Sequence, residues 1–319
     1  IGEEESINLA DAYEGIGGVY LGLGEYTKAL LYFQKAVAIK KYLLKEYDSS
    51  LLTSYSSLAL AYQNIGKYDK ALQTQNDLIS RLEQILELSH SALAIPYNNL
   101  ASIYLDMGEP AKALQIQRKA ISIEEQVAEA DSTRIARFYN NLFLIYRSLG
   151  EYGEALEVQK KVVKILSQTL EANHPEVAVA YNNLALAFQD VGEYSKALQA
   201  EQKAIFIQEQ LLHSKHPHLA NSFDCLATIY LHLGQYEKAL EAEEKCISIL
   251  EKVLAPDHPL LANSLNTLAM TLNHLREYER ALKAQQKAIE IQEQAFSSAH
   301  PVTASLYNNL ASIYKDMGE

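Results

Sequence analysis

Residues 97–109 read YNNLASIYLDMGE, and residues 307–319 read YNNLASIYKDMGE. Twelve of the thirteen positions agree, and the one change sets Leu105 against Lys315. The copies lie 210 residues apart, which is five steps of 42. On that step the glycine recurs as Gly24, Gly66, Gly108, Gly150, Gly192, Gly234 and Gly318, with Arg276 filling the remaining site. Five residues after each site stands an alanine followed by leucine: Ala29, Ala71, Ala113, Ala155, Ala197, Ala239 and Ala281. No insertion interrupts the grid, so the chain is an internal duplication. Length alone would suggest about two domains, but a repeat array overrides that prior. The expected organisation is a single solenoid over 1–319. Its repeats are 6–47, 48–89, 90–131, 132–173, 174–215, 216–257 and 258–299, with a partial eighth at 300–319. Because the eighth stops before its second half, the chain reads as a cut through a longer array.

Each repeat encodes two helices. In 174–215, His174-Pro175 opens the first, where the missing N–H of proline had no intrahelical partner to lose. Ala178, Tyr181, Leu184, Ala185 and Phe188 then recur at three- and four-residue spacing. Gly192 ends helix A, as a left-handed terminal residue does. Helix B follows, with Ala197, Ala204 and Ile207 on one stripe. Earlier repeats replace His-Pro with Asp48-Ser49, Ser89 and Ser132, which are ordinary N-cap residues. Pro96 falls inside the third helix A, which is therefore expected to start near Ile95 or to kink. The small residue beside the helix-A leucine (Ala59, Ala101, Ala185, Ala227, Ala269, Ala311) allows close helix approach, and Phe143 breaks that rule. One helix pair cannot bury its own stripe, so the pairs must stack.

The pattern L-A-x-x-Y…G-x-Y-x-x-A-L resembles the tetratricopeptide repeat (TPR). The period of 42 and the HP…YNNLA…Y…GEY string look like the subgroup of kinesin light chains and nephrocystin-like bacterial proteins. HEAT-like repeats have similar periods, but the glycine turn and the Ala-Leu of helix B favour TPR. The resemblance covers essentially the whole chain. It implies an all-α, right-handed superhelical solenoid of antiparallel helix pairs, with seven full repeats and one extra helix A. It also implies a protein-binding role.

Composition excludes several classes. The net charge of −12 argues against nucleic acid as a partner. No run approaches the ~18 apolar residues of a membrane span, so no membrane partner is expected. The opening IGEEES is acidic, unlike a secretion leader. Two cysteines, Cys225 and Cys246, cannot make a disulfide framework, and a reducing cytoplasm is expected. No cofactor is expected. GIGG at 15–18 lies in a helix-A pattern and does not follow a strand, so it is no phosphate loop. His174, His216, His258 and His300 stand one repeat apart, too far to share a zinc at about 2 Å per bond, and read as helix-start residues. His213, His216 and His218 share one link without a convincing fourth ligand, so no metal site is expected. Nothing resembles a nucleophile with an oriented base, and the chain is not expected to be an enzyme.

The candidate binding face follows from helix geometry. With Tyr97, Leu100, Ala101 and Tyr104 buried, about 100° per residue turns Asn98, Asn99, Ser102, Leu105 and Asp106 the other way. Stacking makes this one concave surface. Asparagine recurs there as Asn98, Asn140, Asn182, Asn266 and Asn308, and one residue on as Asn99, Asn141, Asn183 and Asn309. Helix propensity gives no reason for asparagine. Its donor and acceptor suit the amides of an extended peptide, or else a neighbouring helix. Arg137 lies one turn before Asn141, with Arg147 further along and Arg134 near the start. The TPR resemblance implies that a basic residue four before the second asparagine meets acidic peptide groups, and Arg137 with Asn141 fits. Thr53, Ile95, Val179, Asn221, Asn263 and Ser305 hold that position elsewhere, so any clamp is partial. The expected function is a non-catalytic protein- or peptide-binding scaffold. The alternatives are a regulatory or sensory module of a larger multidomain signalling protein, and a structural array self-associating through exposed end helices.

Overall fold

A computed structural model describes residues 3–45, 48–86, 90–126, 132–212, 216–295 and 301–318. Among these residues every regular element is helical. The helix pairs run α1 (Glu3–Gly22) and α2 (Tyr26–Leu43), α3 (Ser49–Asn64) and α4 (Tyr68–Ile85), α5 (Ala94–Asp106) and α6 (Pro110–Glu125), and α7 (Ser132–Ser148) and α8 (Tyr152–Thr169). They continue with α9 (Pro175–Asp190) and α10 (Tyr194–Leu211), α11 (Pro217–His232) and α12 (Tyr236–Val253), α13 (Pro259–His274) and α14 (Tyr278–Ala295), and a last helix A, α15 (Pro301–Met317). Odd numbers are helix A and even numbers helix B. The chain divides into two compact units, Ile1–Val158 and Gln159–Glu319.

Each A-to-B turn closes the same way. In the first repeat the Glu25 N–H reaches back to the Tyr20 carbonyl at 2.9 Å and that of Gly24 to Leu21 at 3.1 Å. This double closure needs a left-handed residue. The grid glycines supply it at φ between 70° and 90°. Arg276 adopts the same conformation at φ 61° despite its Cβ, and Glu277 still reaches the Leu272 carbonyl at 2.9 Å.

Helix starts follow the sequence closely. The imidazole Nδ1 of His174, His216 and His258 accepts from the backbone N–H two residues on, at 3.2 Å in each case. These histidines are N-caps, which requires an unprotonated Nδ1. His90 does the same for a 3-10 turn at Ser91–Leu93, after which α5 begins at Ala94. Pro96 thus sits in a first turn, where its missing N–H is harmless. Asp48 caps α3 through the Ser50 N–H at 2.9 Å. Ser132 is the first described residue of α7; Ser89, His213 and His300 lie outside the described residues.

The core of each unit lies between stacked pairs. Alanines of both series pack in the core: Ala101 and Ala113 meet Ile145 in the first unit, and Ala269 and Ala281 meet Ile313 in the second. Ala311, whose repeat has no helix B in this chain, is exposed. The first repeat trades sizes: Gly17 replaces the helix-A alanine, and a Cβ there would come within 2.7 Å of the Phe33 ring. Phe143 is wholly buried, with the Arg147 guanidinium 5.6 Å from its ring centroid.

Candidate functional site

Four residues after the buried alanine of helix B, on the same face, comes a side chain that the apolar pattern does not predict. It is Gln75, Gln117, Gln159, Glu201, Glu243 and Gln285 in successive repeats, and each is wholly buried. A buried amide must find partners. Each glutamine donates its Nε2 to a helix-A carbonyl of the next repeat: Pro96 at 2.8 Å, Phe138 at 2.7 Å, Ala180 at 3.1 Å and Leu306 at 2.8 Å. Gln117 and Gln285 also donate to the Oδ1 of Asn98 (2.9 Å) and Asn266 (3.0 Å) on their own helix A.

The groove asparagines enter the same network. Asn141 Nδ2 donates to Asn98 Oδ1 at 2.9 Å, and Asn309 Nδ2 to Asn266 Oδ1 at 2.8 Å. The first asparagine is therefore a hub joining its own helix B to the next helix A. In the first unit the hub lines a concavity of about 230 Å³, bordered by Ser57, Gln63, Asn98, Asn99, Ser102 and Asn141. Gln63 Nε2 is held by Ser102 Oγ at 3.0 Å and Asp106 Oδ2 at 2.7 Å.

The remaining expected site residues are placed less uniformly. Arg137 is exposed on α7, one turn before Asn141. Arg134 is committed to the buried Glu124 carboxylate, through Nε at 2.7 Å and Nη2 at 2.6 Å. Arg147 covers Phe143. Asn140 has a buried Oδ1 without a hydrogen-bond partner. In the second unit Asn182 donates to Glu201 at 3.1 Å and to Ser222 Oγ at 3.1 Å. Asn183 is partly buried on α9, and Asn308 is exposed on α15.

Carboxylates replace the buried amide at two positions. An ionised glutamate cannot donate to the carbonyl 21 residues on, and at both places that residue is a serine, Ser222 or Ser264. Ser222, Cys225 and Asn182 stabilise the ionised Glu201 but only partly offset burial, which raises its carboxyl to about 7. Glu243 is raised further, to about 9, by burial and then by the neighbouring Asp224. Its two oxygens have no hydrogen bond of good geometry, although the Ser264 hydroxyl lies near enough to favour the charged form. Cys225 is partly buried, accepts from Gln189 at 3.1 Å, and is pushed well above the usual thiol range by burial and Glu201. Cys246 is raised to about 12 by burial and Glu243. The sequence does carry the signal for this set: a polar residue on the 42-residue grid, four after an alanine already assigned to the core.

A family model described as Tetratricopeptide repeat matches residues 50–126, 134–210, 218–294 and 261–319, and a second of the same description matches 10–42. The chain belongs to the tetratricopeptide repeat family. Its TPR array is similar to a solved Podosopora anserina protein described as a kinesin light chain with nearly identical TPR-like repeats. Identity is 26%, covering 67% of this chain and 100% of that one, at a TM-score of 0.56. This likeness and the 42-residue period put the TPR chain in the kinesin-light-chain-like subgroup. The apo form of RapI shares the TPR fold at 15% identity, covering 84% of this chain and 98% of that one, at a TM-score of 0.60. A Pyrococcus horikoshii signal transduction ATPase with numerous domains and a TPR sensor matches all of this chain with 45% of its own, at 17% identity and a TM-score of 0.69. No curated protein matches the TPR chain.

Proposed function

We propose that this TPR chain is a non-catalytic scaffold whose concave helix-A surface holds an extended protein or peptide segment. The observation that carries the reading is the polar concavity of the first unit, where Asn98, Asn99, Ser102 and Asn141 come together on consecutive helices. Asn98 Oδ1 accepts from two internal donors, which fixes the amide plane beside the concavity. Donors and acceptors set one helix apart suit the amides of an extended chain. Arg137 adds a guanidinium that recognises a carboxylate on the partner. Both thiols are held protonated and the buried carboxyls lie between helices, which favours binding over chemistry. Two free thiols, and no described helix long and apolar enough to cross a membrane, fit a cytoplasmic location. A second reading makes the same groove the sensory part of a larger signalling protein, and the Pyrococcus horikoshii TPR sensor supplies a precedent for the fold.

The test is fluorescence anisotropy with extended acidic peptides selected on the wild-type protein. Asn99→Ala and Arg137→Ala are each expected to weaken the selected peptide about tenfold, the loss of one charge-assisted or well-formed hydrogen bond. Unchanged affinity in both variants would remove the groove from consideration.

A further inference from the structure

The sixth repeat departs from the others at the junction of α11, α12 and α13. Asp224 stands where the first groove asparagine stands in five other repeats. Glu243 replaces the helix-B glutamine, and Cys246 replaces an alanine, valine or leucine found at that register in every other repeat. Glu243 and Cys246 are three residues apart on α12 and so share one face. One carboxylate oxygen from each acid and the Cys246 sulfur all lie within 4.8 Å of one another. Ser264 on α13 completes the cluster: its Oγ is 3.3 Å from Cys246 Sγ and 3.4 Å from Asp224 Oδ1.

Two observations mark this as more than an acidic patch. Glu243 is wholly buried and both its oxygens lack a hydrogen-bond partner, whereas Glu201 one repeat earlier has donors from Asn182. The two Ser264 distances also match a coordination sphere. Bonds of about 2.3 Å to sulfur and about 2.0 Å to oxygen put neighbouring tetrahedral ligands about 3.3–3.5 Å apart. The two serine distances already have those lengths.

We propose that Asp224, Glu243 and Cys246, with the Ser264 hydroxyl as fourth donor, bind one divalent transition-metal ion of borderline softness, with zinc the best fit. A mixed thiolate and carboxylate set selects such an ion over magnesium or calcium, which require an all-oxygen shell. Coordination requires the Cys246 thiolate and both carboxylates, so uptake of the ion is coupled to proton release and weakens as pH falls. Asp224 is only partly buried and is the most accessible of the three ligands. The site ties three helices of two repeats together and is independent of the peptide-groove reading.

The experiment is a titration of the intact chain with Zn2+ by calorimetry and with Co2+ by absorption, beside the triple variant Asp224→Asn, Glu243→Gln, Cys246→Ala. The variant holds residues that other repeats carry at these positions, so it should fold, and circular dichroism checks this. Wild type should bind one Co2+ with a thiolate-to-metal charge-transfer band, resist competition by excess Mg2+, and melt at a higher temperature with Zn2+. The variant should lose the band and bind at least tenfold more weakly. Co2+ binding without a thiolate band, or equal Zn2+ affinity in the variant, would overturn the assignment. Should the variant not fold, the wild-type band alone decides: present, it supports the site; absent, it refutes it.

Discussion

Two helix interfaces one repeat apart bury a glutamate at the same register and treat it differently. At α9–α11, Asn182 donates to Glu201 and the Ser222 hydroxyl lies beside it. At α11–α13 the asparagine has become Asp224, and Glu243 faces another acid where Glu201 faces an amide. The backbone scaffold is the same, and substitutions around the carboxyl, Asn182 to Asp224 foremost, leave one glutamate with protein donors and the other without. A third carboxylate, Glu14 in the first repeat, shows another solution: it meets the buried Lys40 ammonium and the Ser54 hydroxyl (2.8 Å), with Asp11 at 2.8 Å from the same ammonium. A buried charge is tolerated where a counter-charge or donors meet it, and otherwise changes its protonation.

That comparison can be strained at its strongest point first. Lys40→Ala removes the only cation among the three carboxylate sites and strands Glu14. The expected cost is about 3–5 kcal/mol, read as faster hydrogen exchange in α1 and α2. A cost below about 1 kcal/mol would show that Glu14 simply takes up a proton.

The two glutamates separate by pH. A carboxyl raised in the folded state binds its proton more tightly there than in the unfolded chain. Stability therefore falls as pH climbs from the unfolded value toward the folded one. For Glu243 that window runs from its ordinary 4.5 to about 9, and for Glu201 from 4.5 to about 7. In metal-free buffer Glu243→Gln should match wild type near pH 5 and gain up to about 6 kcal/mol by pH 9 in denaturant unfolding. Glu201→Gln should gain less, with its benefit complete near neutrality. Parallel pH curves for the two variants would erase the distinction.

Two smaller changes serve as uncharged references beside these interfaces. Arg276→Gly, at the end of α13, relieves a left-handed residue and should add about 1 kcal/mol at every pH, seen as a higher melting temperature. His174→Ala, at the start of the α9 that carries Asn182, should lose slightly less than 1 kcal/mol of helix stability by the same measurement, and His174→Asn should restore it.

Much of this architecture was legible because it is local. The 42-residue grid, the glycine turns, the His-Pro starts and the displaced start at Pro96 each depend on a few neighbouring residues. The buried helix-B glutamines were not read, because a glutamine amid lysine and glutamate resembles a solvated face until the carbonyl of the next repeat is placed opposite it. The asparagine hub was half legible. Its two residues were picked out by recurrence, but whether Asn98 bonds a ligand or a neighbouring helix turns on Gln117 and Asn141, which lie 19 and 43 residues away. Arg134 illustrates the same limit, since Glu124 belongs to the preceding helix B.

The glutamine-to-carbonyl bonds also bear on how such a chain acquires its structure. They join residues 21 apart, half of one repeat, and the asparagine bonds join residues 43 apart. Ordering a helix B and the following helix A closes only a short loop, and closure entropy rises slowly with loop length. Contacts this near in sequence belong to fast-folding topologies. Each clasp can therefore form as soon as its two helices exist, without waiting for distant parts of the chain.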